Sequence, residues 1–482
     1  MIEMEEMKIL EKYSHFIDGT WKTPKQNKYF TNMNPVTGEK LTFVARGSSE
    51  DIDLAIKNAE KGFETWCALK PSARGQIIMK IAERIRENQH RLAFLETLDT
   101  GRPLFLSMQM VESSARFFEY LGGAADKIFG DVIPAHNDYL TYTLREPYGV
   151  VGIIIPWNAP LQTASRDVSA ALAAGNAVVL KPAEQAGLSV LELAAICIEA
   201  GLPPGVFNVV NGLGNEAGNA LIHHPSIQKI TFTGSVQTGK HIMKAAAEQI
   251  VPVTVELGGK SPNIVFEDAN LTEAIKGSLK AFLANSGQVC AAGTRLFVQR
   301  SIQESFVTEL IEQVKGVKIG NGLTNPMMGP LISDKQLERV LQYIDIGKKE
   351  GATLEYGGKR LSQDGYFIEP TIFTNVDNSM KIAREEIFGP VVSIIPFDTE
   401  EEVIALANES EFGLSASVWT ENIHRGHRVA KKVLAGQVYI NDFMPIDVEA
   451  PFGGYKKSGI GREKGLESLL TYTQVKTITT KM

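Results

Sequence analysis

Residues 149–181 read GVVGIIIPWNAPLQTASRDVSAALAAGNAVVLK. A β-branched run, VVGIII, is followed after Pro156 by an Ala-rich segment reaching Ala170, and then by a second apolar run, AVVLK. Two short apolar runs flanking an Ala-rich segment predict a strand, a crossover helix and a second strand, all buried. The alternation continues outward through LSVLELAAICIEA from Leu188, FNVV from Phe207, a helix near Gly218, KITFTG from Lys229, a helix over 235–248 and PVTVEL ending at Leu257. Strands and helices alternating at this spacing predict an α/β fold with a parallel sheet, which binds ligands at the carboxyl ends of its strands.

Before this series, residues 49–125 place apolar residues at helical spacing, with Ile52, Ala55, Ile56, Ala59 and Phe63 on one face and Ile77, Ile81, Ile85 and Leu92 on another. A short arm with the polar turn Asp18-Gly19-Thr20 precedes it. Residues 139–145 (YLTYTLR) alternate β-formers with polar residues and predict an exposed strand. After Leu257 a second α/β series follows: PNIVF, a helix over 271–285, RLFVQ, PTIFTNV, VVSIIPF, a helix over 401–408, SASVWT and VYIND. No Gly/Ser-rich linker separates the two series, which predicts packed lobes sharing a cleft. The terminal alternating segment, YTQVKTITT at 472–480, needs a strand partner: residues 139–145, a neighbouring subunit, or both.

The 482 residues suggest about three lobes at roughly 150 residues each. With 49 Lys and Arg against 56 Asp and Glu, the formal charge of −7 gives no basic field for nucleic acid or anionic lipid. Cys67, Cys197 and Cys290 are too few and too scattered for a disulfide framework or a four-ligand zinc site. The adjacent His223 and His224 lack zinc spacing, so no metal is expected. The acidic N-terminal segment does not resemble an export signal, and Pro156 stops the most apolar run well short of the ~20 residues of a membrane helix. A cytoplasmic protein is expected, with no membrane partner.

Cys290 lies in SGQVCAAGTR, where small neighbours leave room for a substrate at sulfur. A thiolate attacks carbonyls well, but a free thiol needs activation, and a lone cysteine is more often structural. Cys67 and Cys197, on helical apolar patterns, are read as structural. Glu256, in VTVELGGKSP, ends a strand and suits a general base; alternatively it is a solvated strand-end charge. Asn158, in IPWNAP, follows a strand and could donate to an oxyanion, or simply make a turn. Residues 212–218 (GLGNEAG) miss the dinucleotide fingerprint by one position and are read as a turn. Residues 231–239 (TFTGSVQTG) follow a strand and open a helix, where N–H groups can meet a pyrophosphate and Ser235 can cap. Lys181 and Glu184, in VVLKPAE, are spaced to hold a ribose. The loops EIFGP at 386–390 and PFGGYKKSGIGR at 451–462 have no purpose that spacing alone reveals.

In this order PWNAP, VVLKPAE, FTGSVQTG, VELGGKSP, GQVC, EEIFGP and PFGGYKKSGIGRE resemble the aldehyde dehydrogenase superfamily along nearly the whole chain. The resemblance implies an oxidoreductase with Cys290 as nucleophile, Glu256 as general base, and Asn158 with the Cys290 N–H as oxyanion hole. It implies that Lys181 and Glu184 hold the adenine ribose, Ser235 the pyrophosphate and Glu386 the nicotinamide ribose, with Phe388 against the nicotinamide. Ile154, Pro156, Trp157, Gly234, Gly239 and Leu257 complete the cofactor-binding set. A carboxylate at Glu184 repels the extra phosphate of NADP, so NAD is preferred. The implied domains are a Rossmann-like NAD-binding domain (1–125 and 147–257), a catalytic domain (258–458) and an oligomerisation extension (126–146 and 459–482). A homodimer or homotetramer is expected.

Two departures concern the substrate. Many members carry an aromatic residue at the position of Ala159 and an aromatic–Lys pair where this chain has Arg166-Asp167. Ala159 widens the pocket, and Arg166 either meets a carboxylate, phenolate or hydroxyl of the substrate or pairs with Asp167. The combination is similar to members that oxidise aromatic aldehydes. Val289, Ala291 and Phe452 are the remaining candidate pocket residues. The competing functions are a CoA-acylating dehydrogenase, disfavoured by Glu256, a non-redox Cys/Glu esterase, which has no use for ribose and pyrophosphate motifs, and a non-catalytic relative, which would not need the Cys290, Glu256 and Asn158 set.

Overall fold

The computed structural model describes residues 7–361, 364–445 and 447–482. Two sheets dominate it. In the first, five parallel strands lie in the spatial order Val253–Glu256, Lys229–Thr233, Val150–Ile154, Ala177–Lys181, Phe207–Val209. The chain starts at the central strand, builds to one side, then crosses back to the other. The crevice where the order reverses lies at the carboxyl ends of Val150–Ile154 and Lys229–Thr233, where such sheets bind ligands. The hairpin His15–Ile17/Thr20–Lys22 extends the far edge, turning at Asp18 (φ 55°) and Gly19 (φ 70°). Two consecutive positive φ values match the twist of a tight hairpin.

The second sheet runs Thr353–Tyr356, Thr371–Thr374, Val391–Phe397, Arg295–Gln299, Pro262–Val265, Ser415–Trp419, Gln437–Ile440, with all neighbours parallel except the first pair. The expected helical region resolves into four helices, Ser49–Cys67, Pro71–Glu87, Gln89–Thr100 and Leu104–Ala124. Ile52, Ala55, Ile56 and Ala59 are fully buried, and so are Ile81, Ile85 and Leu92. Among the described residues no helix is long and apolar enough to cross a membrane.

The terminal strand finds its partner within the chain: Thr473–Lys481 pairs antiparallel with Tyr139–Pro147 along their full length, and Val132–Ile133 adds a third strand. Several expectations need correction. Gly459–Ile460 does not belong to this ribbon; it pairs antiparallel with Val255–Glu256 and closes the near edge of the first sheet. Residues 212–218 are not a simple turn, because Gly214–Gly218 forms one wide helical turn running into helix Asn219–Ile222. Cys67 is exposed at the end of its helix, off the buried face, whereas Cys197 is buried. The helices Gln303–Lys315, Asp334–Lys349 and Ile423–Lys432 and the small N-terminal sheet were not anticipated.

Candidate active site

Glycines decide which segments can meet. A Cβ on Gly259 would lie 2.5 Å from the Cys290 carbonyl oxygen, so the segment after Glu256 packs directly on the cysteine loop. Gly287, at φ +72°, would place a Cβ 2.2 Å from the Gly389 carbonyl oxygen, locking the same loop against residues 386–390. Gly453 faces Glu256, with its Cβ position 2.8 Å from Oε1. The glycine-punctuated loop 451–462 is therefore a strap: it pairs with the strand of Glu256, and Ser458 ties it down by accepting the Leu257 N–H (2.9 Å, through its carbonyl) and donating Oγ–H to the Gly258 carbonyl (2.8 Å).

Cys290 is partly exposed, and Asn158 lies beside it at the end of the strand Val150–Ile154. The Asn158 carboxamide donates to the Gln288 carbonyl at 2.9 Å, two residues before the cysteine. The Asn158 backbone carbonyl is clamped in turn by Asn285 Nδ2 (3.0 Å) and by the Arg102 guanidinium. Asn285 and Ser286 both adopt left-handed conformations (φ 51° and 58°). Such backbone strain in consecutive non-glycine residues persists only where the surroundings enforce it, and it clusters at functional sites. Arg102 is itself buried and stands 3.6 Å from buried Glu96.

Glu256 is buried, and among the described residues neither carboxylate oxygen has a hydrogen-bond partner. Burial first, and then the negative charge of Glu463, push its pKa well above the ordinary carboxylate range. A carboxylate kept dry and unpaired is a strong base for a proton delivered to it. Burial, followed by the charges of Glu386 and Glu256, pushes the Cys290 thiol up to about 12, so the thiolate forms only when positive charge or donors reach the pocket.

Arg166 does not face a substrate. Burial opposes its charge, but its Nε donates to Asp167 Oδ1 at 2.9 Å, its Nη2 donates to Thr233 Oγ1 at 2.9 Å, and it is ion-paired with Glu463. Of the two sequence-level alternatives, the Asp167 pairing is the one present, joined by Glu463 from the strap. Ala291 is also corrected: it is fully buried beneath the pocket against Leu414 and Phe452. Val289, Cys290 and Phe452 share that cluster, and Ala159 precedes helix Pro160–Ala173 at the pocket mouth.

The cofactor candidates gather along the carboxyl edge of the first sheet. Ser235 caps helix Val236–Gln249, accepting the Thr238 N–H at 3.3 Å, and follows Gly234 at the strand end. Gly239 lies against Leu257, and Gly218 approaches Ile154 and the Lys181 stem, which makes a smooth apolar wall. Lys181 is buried with its ammonium 3.4 Å from Glu184. Trp157 meets Phe388 edge-on at 5.2 Å. Glu386 is pushed up to about 7 by burial and, among the described residues, accepts only the Gly259 N–H at 3.1 Å, leaving acceptor capacity free. Of these groups Ser235 and Glu386 line a cleft of about 1700 Å³, together with Arg339. A helix N-terminus, the carboxylates of Glu184 and Glu386 and an apolar wall are the kinds of group a dinucleotide requires. Among the described residues no group of three or more His, Cys, Asp or Glu is placed to hold a metal ion.

Sequence reasoning missed Arg102, Glu96, Asn285 and Arg339. A charge at Glu96 amid Leu92-Ala-Phe-Leu is the one visible signal, since a carboxylate on an apolar helix face calls for a buried partner.

The aldehyde dehydrogenase family model matches residues 21–478. The chain is 46% identical to the betaine aldehyde dehydrogenase of Brucella anthropi over 482 residues, covering 99% of each chain. It is 47% identical to aldehyde dehydrogenase 1 of Tanacetum cinerariifolium, over 96% of this chain and 94% of that one. Among solved structures, an NAD+ complex of aldehyde dehydrogenase from Bacillus cereus superposes with a TM-score of 0.97 at 48% identity, covering 98% of this chain and 97% of that one. Betaine aldehyde dehydrogenase from Staphylococcus aureus in complex with NAD+ gives 0.97 at 42% identity, covering 99% and 96%. With the family's motifs converging on one crevice and its model spanning nearly all 482 residues, this chain belongs to the aldehyde dehydrogenase family.

Proposed function

We propose that this chain oxidises an aldehyde to a carboxylic acid with NAD, through a covalent intermediate on Cys290. The observation that carries this reading is the unpaired, buried carboxylate of Glu256 packed through Gly259 and Gly453 against the cysteine loop. Cys290 loses its thiol proton to solvent and attacks the carbonyl carbon as the thiolate, and the Asn158 carboxamide turns from the Gln288 carbonyl to the developing oxyanion beside the Cys290 N–H. NAD, when bound, accepts the hydride that converts the tetrahedral thiohemiacetal into a thioester. Glu256 then takes a proton from water, which attacks the thioester and releases the acid and the thiol. An esterase would have no use for the capped helix and the two ribose-binding carboxylates, and a CoA-acylating enzyme would not need Glu256.

Ser235, Gly234 and the helix behind them bind the pyrophosphate, Lys181 and Glu184 one ribose, Glu386 the other, and Phe388 with Trp157 encloses the nicotinamide end, beside Ile154, Pro156, Gly239 and Leu257. Glu184 favours NAD over NADP. The first sheet is the cofactor lobe and the second the catalytic lobe. Ala159, Val289 and Phe452 suit an aldehyde with an aromatic body. Exposed Val132, Leu140, Leu144 and Val475 on the terminal ribbon support a homodimer or homotetramer, and a monomeric mass by light scattering would overturn that assignment.

The test is NADH formation with benzaldehyde and with butanal, comparing wild type with Cys290→Ala. The reading expects acid and NADH in equal amounts and a fall of at least about 10³-fold in the variant. No NADH with any aldehyde, or NADH formation unchanged in Cys290→Ala, overturns it.

A further inference from the structure

Next to the occupied Arg166 stands a cation that, among the described residues, has no carboxylate within ion-pairing distance. The backbone of Glu463 bridges to Phe452, with the Phe452 N–H donating to the Glu463 carbonyl (2.6 Å) and the Glu463 N–H to the Phe452 carbonyl (2.7 Å). Lys464 follows directly, and its left-handed backbone (φ 60°) turns the side chain back so that the ammonium lies 5.1 Å from the centre of the Phe452 ring. Phe452 is in the cluster that holds Val289, Cys290 and Ala291, so the ammonium is one aromatic ring away from the nucleophile's surroundings.

Its bonding is incomplete. Among the described residues the Lys464 ammonium makes one hydrogen bond, to the Asp447 carbonyl at 3.3 Å, and no carboxylate lies within 4 Å of it. The neighbouring acid, Glu463, is committed to Arg166. Among the described residues two N–H donors of this half-buried cation are left without a partner, and a charge withdrawn from water is stabilised by pairing. Burial lowers the Lys464 pKa to about 8, with Arg166 acting in the same direction and Asp447, Cys290 and Glu463 opposing it. An anion arriving in the pocket would reverse that balance.

We propose that Lys464 forms the anion-recognising end of the aldehyde pocket, so that the preferred substrates are aldehydes carrying a carboxylate. One ammonium, half-buried and backed by an aromatic face, matches a singly charged carboxylate. A cationic aldehyde such as betaine aldehyde is disfavoured at the same place by like charge. This inference rests on the aldehyde-oxidising reading above.

The experiment compares kcat/KM for matched pairs, the formylbenzoate isomers against benzaldehyde and succinate semialdehyde against butanal, in wild type, Lys464→Met and Lys464→Arg. The expected result is that at least one carboxylated aldehyde is preferred by at least about tenfold over its neutral partner, that Lys464→Met lowers this ratio by at least about tenfold, mainly through KM, and that Lys464→Arg restores most of it. Equal falls for charged and neutral aldehydes, or a wild type that prefers the neutral member of every pair or betaine aldehyde, overturn the proposal. The wild-type ratio alone decides if Lys464→Met fails to fold. Turnover of the neutral aldehydes tests the oxidising reading separately, so the two can fail independently.

Discussion

Replacing Arg102 by Met should weaken the fold and slow the chemistry through one contact. Arg102 Nη1 stands 3.6 Å from Glu96 Oε1, with both side chains at most 3% exposed. At an effective dielectric of about 20, that separation corresponds to roughly 4–5 kcal/mol of attraction, and removing one partner of a buried pair costs about 3–5 kcal/mol. Glu96 keeps the Ser189 hydroxyl as a donor at 2.6 Å. Its pKa is already raised by burial, which Arg102 opposes, so losing Arg102 raises it further. A carboxyl whose folded pKa exceeds its unfolded value of about 4.3 contributes stability below that value and loses it as pH rises through the folded pKa. The deficit of Arg102→Met relative to wild type should therefore be small near pH ~4 and grow towards pH ~8. Adding Glu96→Gln should recover at least about 2 kcal/mol at pH ~8 and flatten the pH dependence. The Asn158 carbonyl keeps its Asn285 donor but loses the guanidinium, so its carboxamide is less well aimed, and kcat should fall by up to about 10²-fold. Urea unfolding across pH and steady-state kinetics measure both effects. A loss below about 1 kcal/mol at pH ~8, or a double variant less stable than Arg102→Met, would refute the reasoning.

Glu256→Gln should leave acylation in place and block deacylation, giving a single burst of NADH and a trapped thioester visible by mass spectrometry; steady turnover at the wild-type rate would remove Glu256 from the water-activating step. Asn158→Ala should lower kcat by about 10²–10³-fold with little change in the thermal midpoint, as loss of one oxyanion donor does. Gly287→Ala combines a left-handed φ with a clash at 2.2 Å, so it should cost at least about 1–3 kcal/mol and abolish activity; a melting temperature equal to wild type would show that the loop is not locked there. Arg166→Met should depress kcat/KM for neutral and carboxylated aldehydes alike, because it strands buried Asp167 and Glu463, and a fall confined to carboxylated aldehydes would return Arg166 to the substrate pocket.

The inner parallel strands of the two sheets were legible because they are buried on both faces and are therefore spelled as continuous apolar runs such as VVGIII or AVVLK. Residues at strand ends, Asn158, Ser235 and Glu256, could be placed in the crevice because their distance along the chain from those runs is fixed. Arg166 was not legible in the same way. Its helix position is local information, but what surrounds it depends on Glu463, almost three hundred residues later, and an arginine facing a substrate anion and one facing a protein carboxylate have the same sequence signature. The long loop at 451–462 was likewise opaque, since its glycines are needed for close approach to a strand built from remote sequence. The helices Gln303–Lys315, Asp334–Lys349 and Ile423–Lys432 were missed where charged residues dilute a narrow apolar face.

The strap that closes the first sheet also sets an order of assembly. Ser458 and Gly258, which it joins, are 200 residues apart. At roughly 5–20 residues per second, a ribosome needs about 10–40 s to travel between them. Throughout that interval the strand bearing Glu256 is an open sheet edge, able to recruit a strand from a neighbouring nascent chain. The general base is thus among the last groups to acquire its permanent surroundings, and a chaperone that shields this edge during translation would raise the yield of active enzyme more than it raises its stability.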